Sequence, residues 1–150
     1  MELILELKDR IQLLFWFGLA NFILAIVLII LSWLVPVEFG GTSAWYKPIK
    51  FTLSTAILSF SMGWLTGYLP QTTGIKWFNW IFVISLGFEI IYITFQAAKG
   101  QASHYNMSTP LYSSMYTLMA VGATVATLAV AYIGIKFFTT SLPEMPSYLL

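Results

Sequence analysis

The chain has 150 residues, 59% hydrophobic, 17% aromatic and only 9% charged, with a net charge of +1. A soluble domain carries about a quarter charged residues, so a surface this poor in charge requires lipid over much of it. Seven basic side chains with no basic run exclude a nucleic-acid interface, the lack of cysteine excludes thiol chemistry and thiolate-held metals, and one histidine excludes a multi-histidine metal site within the chain.

Taken in order, the first ten residues mix Glu2, Glu6 and Asp9 with Lys8 and Arg10, unlike the basic opening of a signal peptide. The run behind them, at about 11–35, carries no charge and is longer than a signal-peptide core, so it reads as a retained first membrane helix. From Phe22 to Leu31 it has no polar face, which a soluble four-helix bundle would need. Pro36 follows, and Gly40 and Gly41 mark a loop. A second run occupies about 49–69, with Pro48 suited to its first turn. Pro70 to Gly74 forms a short turn. The third run, about 77–98, contains one charge, Glu89. A polar stretch from Gly100 to Pro110 leads to a fourth run at about 112–138, ending near Lys136, and Pro143 and Pro146 stop the tail.

Each run is long enough to cross a hydrocarbon core about 30 Å thick. The expected fold is therefore all-α: one polytopic membrane domain, an antiparallel bundle of four transmembrane helices. Trp33, Trp45, Tyr46, Tyr105 and Tyr112 mark one interface, and Trp64, Tyr68, Trp77 and Trp80 the other. Lys8, Arg10, Lys76 and Lys136 fall on the side of the termini, against Lys47, Lys50 and Lys99 opposite, which predicts cytoplasmic termini. Small residues from Ala120 to Ala131 predict a fourth helix packed between two neighbours.

Glu89 is the most conspicuous side chain. It lies about nine residues from the end of its helix, roughly 13 Å inside at about 1.5 Å per residue. A charge at such depth costs about 2.5–3.5 kcal/mol on insertion scales, so the carboxyl is expected inside the bundle, paired or protonated. Ser85, Tyr92 and Gln96 share its face of the helix. Ser54, Lys50 and Thr117 are expected to extend this lining from the second and fourth helices into an ion or solute pathway.

Two loops on one side are richer in hydrogen-bonding groups than a bare connector requires. One offers Trp45, Tyr46 and Lys47, and the other Lys99, Gln101, Ser103, His104 and Asn106. Converging polar and aromatic groups at a concave mouth make a ligand site. The alternative is anchoring to headgroups, with the lysines snorkelling. His104 could carry a proton near neutrality or act as a haem or metal ligand, although no cofactor is expected from composition. Asn21 reads as interhelical glue.

The strings Trp45-Tyr46-Lys47-Pro48-Ile49-Lys50-Phe51 and Gln96-Ala97-Ala98-Lys99-Gly100-Gln101-Ala102-Ser103-His104-Tyr105-Asn106 resemble those of a family of small, uncharacterised bacterial inner-membrane proteins. The resemblance implies a bacterial inner membrane and brings no activity with it. The residues themselves lead to a proton- or cation-linked permeation protein for a small solute. Its alternatives are a ligand-binding or accessory subunit of a larger membrane complex, and a haem- or metal-binding membrane protein. Four helices enclose little volume, so a homo-oligomer or complex is the expected assembly, with the lipid bilayer as partner. Enzyme motifs with recognisable spacing are absent.

Overall fold

The computed structural model describes residues 12–140; the expectations for Lys8, Arg10 and the tail prolines lie outside them. Four helices fill most of that stretch: α1 (Gln12–Leu34), α2 (Tyr46–Thr66), α3 (Thr73–Ala98) and α4 (Pro110–Thr139). Between α1 and α2 runs a small hairpin of β1 (Glu38–Phe39) and β2 (Thr42–Ser43), pairing Glu38 with Ser43 and Phe39 with Thr42. Gly40 and Gly41 form its turn with φ of +61° and +78°. Two successive positive φ values are what a two-residue hairpin turn of matching twist demands.

Among the described residues the regular structure is helical apart from this hairpin, and α1, α3 and α4 are long and apolar enough to cross a membrane. The second helix is less apolar because it carries Lys47, Lys50 and six hydroxyl residues from Thr52 to Thr66. Most of those hydroxyls turn back on their own helix. Thr52 donates to the Pro48 carbonyl at 2.8 Å, Ser59 to Thr55 at 2.6 Å, Ser61 to Ile57 at 2.9 Å and Thr66 to Met62 at 2.6 Å. A hydroxyl closed on the carbonyl four residues back makes no demand on lipid or on a neighbouring helix.

Helix boundaries differ from the sequence expectation in a consistent way. The second helix starts at Tyr46, three residues early, and stops at Thr66. Pro48 is tolerated as its third residue because the first four N–H groups of a helix have no partner in any case. The third starts at Thr73, and the fourth at Pro110 behind an N-cap Thr109 whose Oγ1 accepts from the Tyr112 N–H at 3.2 Å.

Helix α1 packs along α2, α3 along α4, and α2 against α3 joins the two pairs. Gly18 permits the first contact: a Cβ there would stand 2.9 Å from the Phe60 ring. The main core lies toward the α2–α3 turn, where Leu14, Met62, Leu69, Ile75, Phe78 and Phe82 meet Ala126 and Ile133. The fourth helix buries only Met119, Ala126 and Ile133, a spacing of seven that serves one partner. Ala120, Ala123, Thr124, Thr127 and Ala131 are exposed. The expectation of two neighbours for α4 is thus corrected, because its buried stripe is one residue wide and faces α3.

Replacing Gly18 with Leu overpacks the α1–α2 contact and should cost about 1–3 kcal/mol. The melting temperature in detergent is expected to fall, and Phe60→Ala in the same chain should recover part of the loss. Equal losses with and without Phe60 would show that the two side chains do not meet.

Candidate functional site

The third helix ends at Lys99, with Gly100 in the left-handed region at φ +63°. The Gly100 N–H donates to the Ala97 carbonyl at 2.9 Å and the Gln101 N–H to the Gln96 carbonyl at 3.0 Å. These paired bonds close a helix around a left-handed residue. A Cβ on Gly100 would stand 3.2 Å from Val37 Cγ1, so the turn presses against the connection between α1 and the hairpin. The chain beyond it is thereby carried over the start of α2.

There Lys47 Nζ donates to His104 Nδ1 at 2.8 Å, and Ser103 Oγ stands 3.1 Å from the same nitrogen. Because a lysine can only donate, Nδ1 accepts and the ring proton of the neutral imidazole sits on Nε2. The His104 ring meets Tyr116 edge-on at 6.2 Å, and Tyr105 lies 5.1 Å from Tyr116. Tyr105 has φ +58°. A bulky residue held there stores about 1–3 kcal/mol, which the surrounding contacts must offset. Burial, and then the Lys47 cation, hold the His104 imidazole below its ordinary 6.5.

The loop, the hairpin and the loop-side ends of α2 and α3 enclose a cleft of about 870 Å³. Tyr46, Lys47, Lys50, Phe51 and Ser54 line it from α2, and Ile93 and Ala97 from α3. Gln101, Ser103, His104 and Tyr105 line it from the loop. No carboxylate is among its lining residues.

The site residues expected from sequence divide between the cleft and the helix interior. Tyr46, Gln101, Ser103, His104, Lys50 and Ser54 are brought together in the cleft. Trp45 is not: it is 5% exposed, packs with Leu28 and Ala97, and donates from Nε1 to the Val35 carbonyl at 2.9 Å. It ties the hairpin connection to the helices instead of facing headgroups or a ligand. Lys99 also stays outside, its Nζ 4.1 Å from the Phe95 ring centre. Asn106 braces its own turn, donating to the Ala102 carbonyl at 3.4 Å and accepting from the Ser108 hydroxyl at 2.7 Å.

Glu89 is buried, 3% exposed, and its Oε1 has no hydrogen-bond partner among the described residues. A Cβ on Gly122 would lie 3.6 Å from that oxygen, which places the carboxyl at the α3–α4 contact. Gln96, fully buried, donates from Nε2 to Tyr92 Oη at 2.8 Å, while its own Oε1 is unpartnered. Glu89, Ile93 and Gln96 share one face of α3. Glu89 therefore lies one turn, about 6 Å, beneath the Ile93 that lines the cleft. Three members of the expected pathway do not reach the carboxyl. Thr117 is exposed and donates to the Ser113 carbonyl at 3.0 Å, because α4 presents Gly122 at this point. Ser54 and Lys50 open on the cleft instead. Among the described residues no three His, Cys, Asp or Glu side chains come together as a metal site.

Sequence reading offered Lys47 as a loop-site residue or a snorkelling lysine, and placed Tyr105 among the interface aromatics. Nothing in the linear chain pairs Lys47 with a residue 57 positions away.

The imidazole of His104 is expected to titrate below 6.5 by proton NMR in detergent or nanodiscs. Stability contributed by the neutral ring is present above the ordinary histidine pKa and is lost as pH falls through it, since the unfolded chain then binds the extra proton. Lys47→Met should move the titration upward part-way, burial remaining. A titration unmoved by Lys47→Met would break the assignment of the Lys47–His104 pair.

Comparison with protein-family models, with curated proteins and with solved structures finds no match to this chain.

Proposed function

We propose that the chain is a four-span membrane protein that binds a small solute in the cleft under the 101–105 loop. The observation that carries this reading is the cleft itself, about 870 Å³, lined by Lys47, Lys50, Ser54 and His104 and floored by Phe51 and Ile93. Clefts that bury a small ligand run from about 300 to 1,000 Å³ and combine an apolar body with a few placed polar groups. The second helix, with its hydroxyls closed on their own backbone, serves as the fourth span in this reading. The resemblance noted above makes a bacterial inner membrane the setting, and the balance of basic residues puts the termini on the cytoplasmic side.

A second reading, proton-linked permeation, is favoured by Glu89. A buried carboxyl with an unpartnered oxygen, one turn beneath the cleft floor, is the kind of intramembrane acid that marks proton and ion pathways. The two readings differ in whether Ile93 and Phe51 stay closed over it.

Native mass spectrometry of protein released from its own membrane tests the binding reading. Wild type and Glu89→Gln are expected to carry a bound small molecule that Ser54→Trp, which fills the cleft, excludes. Permeation is tested in liposomes with an internal pH dye and an imposed potential. Wild type should pass protons, and Glu89→Gln should fall to the rate of empty liposomes. A chain that carries no small molecule in any form would overturn the first reading, and equal proton flux with Glu89→Gln the second.

A further inference from the structure

We infer that the cleft takes an anionic amphiphile, its acidic head at Lys47 and Lys50 and its apolar chain running down the open side of α2. This rests on the cleft being a binding site and names the chemistry of its ligand.

The cleft lining combines a cationic polar side with an apolar one. Lys47, Lys50 and Ser54 stand on one face of α2 at successive turns, with the His104 ring and Ser103 across from the first. Two ammonium groups converge on the mouth, and no lining carboxylate neutralises them. Lys47 is held by its bond to His104, whose Nε2–H remains available to donate to an acceptor. An anion of phosphate or carboxylate type meets donors from three directions there. Beside these polar groups the lining is apolar, with Phe51, Ile93 and Ala97.

The cleft also has a lateral continuation. One turn beyond Ser54, α2 presents Ile57, which is 60% exposed among the described residues. Helix α4 does not close this side: it packs on α3 and makes at most marginal contact with α2. A molecule whose head sits among the lysines can therefore lay a hydrocarbon chain along Phe51 and Ile57 in the acyl region. A small hydrophilic anion would leave that apolar half empty, and a neutral lipid would leave two lysines without a counter-charge. Basic pockets between membrane helices recognise lipid headgroups on the same principle.

The head could belong to a membrane phospholipid or to a free fatty acid; both are anionic amphiphiles. The test uses the full chain in phosphatidylcholine nanodiscs with spin-labelled phosphatidylglycerol, spin-labelled phosphatidylcholine or spin-labelled stearate, reading the motionally restricted fraction by EPR. Wild type is expected to retain one of the two anionic labels over phosphatidylcholine by about fivefold per engaged lysine. Lys50→Met should remove about that factor, and Lys50→Arg, which keeps the charge, should restore it. Preference for phosphatidylglycerol assigns the bilayer as source, and preference for stearate alone assigns a free acid. Equal retention of all three labels, with Ser54→Trp releasing them, would overturn the anionic assignment while leaving a binding cleft. Retention of none, together with no small molecule in mass spectrometry, would overturn both. A preference for the anionic labels that survives Lys47→Met and Lys50→Met together would also overturn it.

Discussion

Polar atoms in hydrocarbon must find partners within the chain, since no water is there to supply them. This constraint organises the helices more than apolar composition does. Thr52, Ser59, Ser61 and Thr66 on α2, and Ser114, Thr117, Thr124, Thr127 and Thr139 on α4, all donate to the carbonyl four residues back. A helix rich in hydroxyls can then stand among apolar neighbours at little cost. Against that background the unpartnered atoms are conspicuous, and most sit on α3: Asn79 Oδ1, Glu89 Oε1, Thr94 Oγ1 and Gln96 Oε1. Buried polar groups are satisfied in the large majority of cases. Among the described residues these exceptions concentrate on one helix.

The same constraint explains what the sequence made legible. Long apolar runs announced α1, α3 and α4, because length and apolarity are linear properties. The depth of Glu89 was legible for the same reason. Helix starts were read late at Thr73 and Pro110, although Thr109-Pro110 carries an N-cap and a first-turn proline, because attention to hydropathy discounts polar first turns. Gly40-Gly41 was read as a loop when it is the turn of a hairpin. Trp45 was assigned to an interface by residue type, which says nothing of direction; its indole is buried and bonded to Val35.

The cleft was only half legible. That polar loops on one side would gather could be read from composition. Which members would meet could not, because the meeting depends on the left-handed turn at Gly100 pressing against Val37 and on Lys47 reaching His104. These are long-range contacts between segments with no shared periodicity. Trp45, Lys99 and Asn106 are as polar or aromatic as the residues that line the cleft, yet each is spent on bracing its own segment.

Cleft and carboxyl are stacked along α3 but not continuous. Ile93 and Phe51 lie at the cleft, and Glu89 is sealed one turn below against Gly122. An element that borders both must contact the carboxyl and also reach the loop, and helix α4 does so. It is held by one stripe, Met119, Ala126 and Ile133, against one neighbour, and Gly122 lets its backbone lie close to Glu89 without a side chain between. Tyr116, one turn before Ala120, touches both His104 and Tyr105 at the cleft wall. Helix α4 therefore borders the loop at one end and the carboxyl further along, while Ala126 and Ile133 anchor it in the same core as Leu14 and Met62.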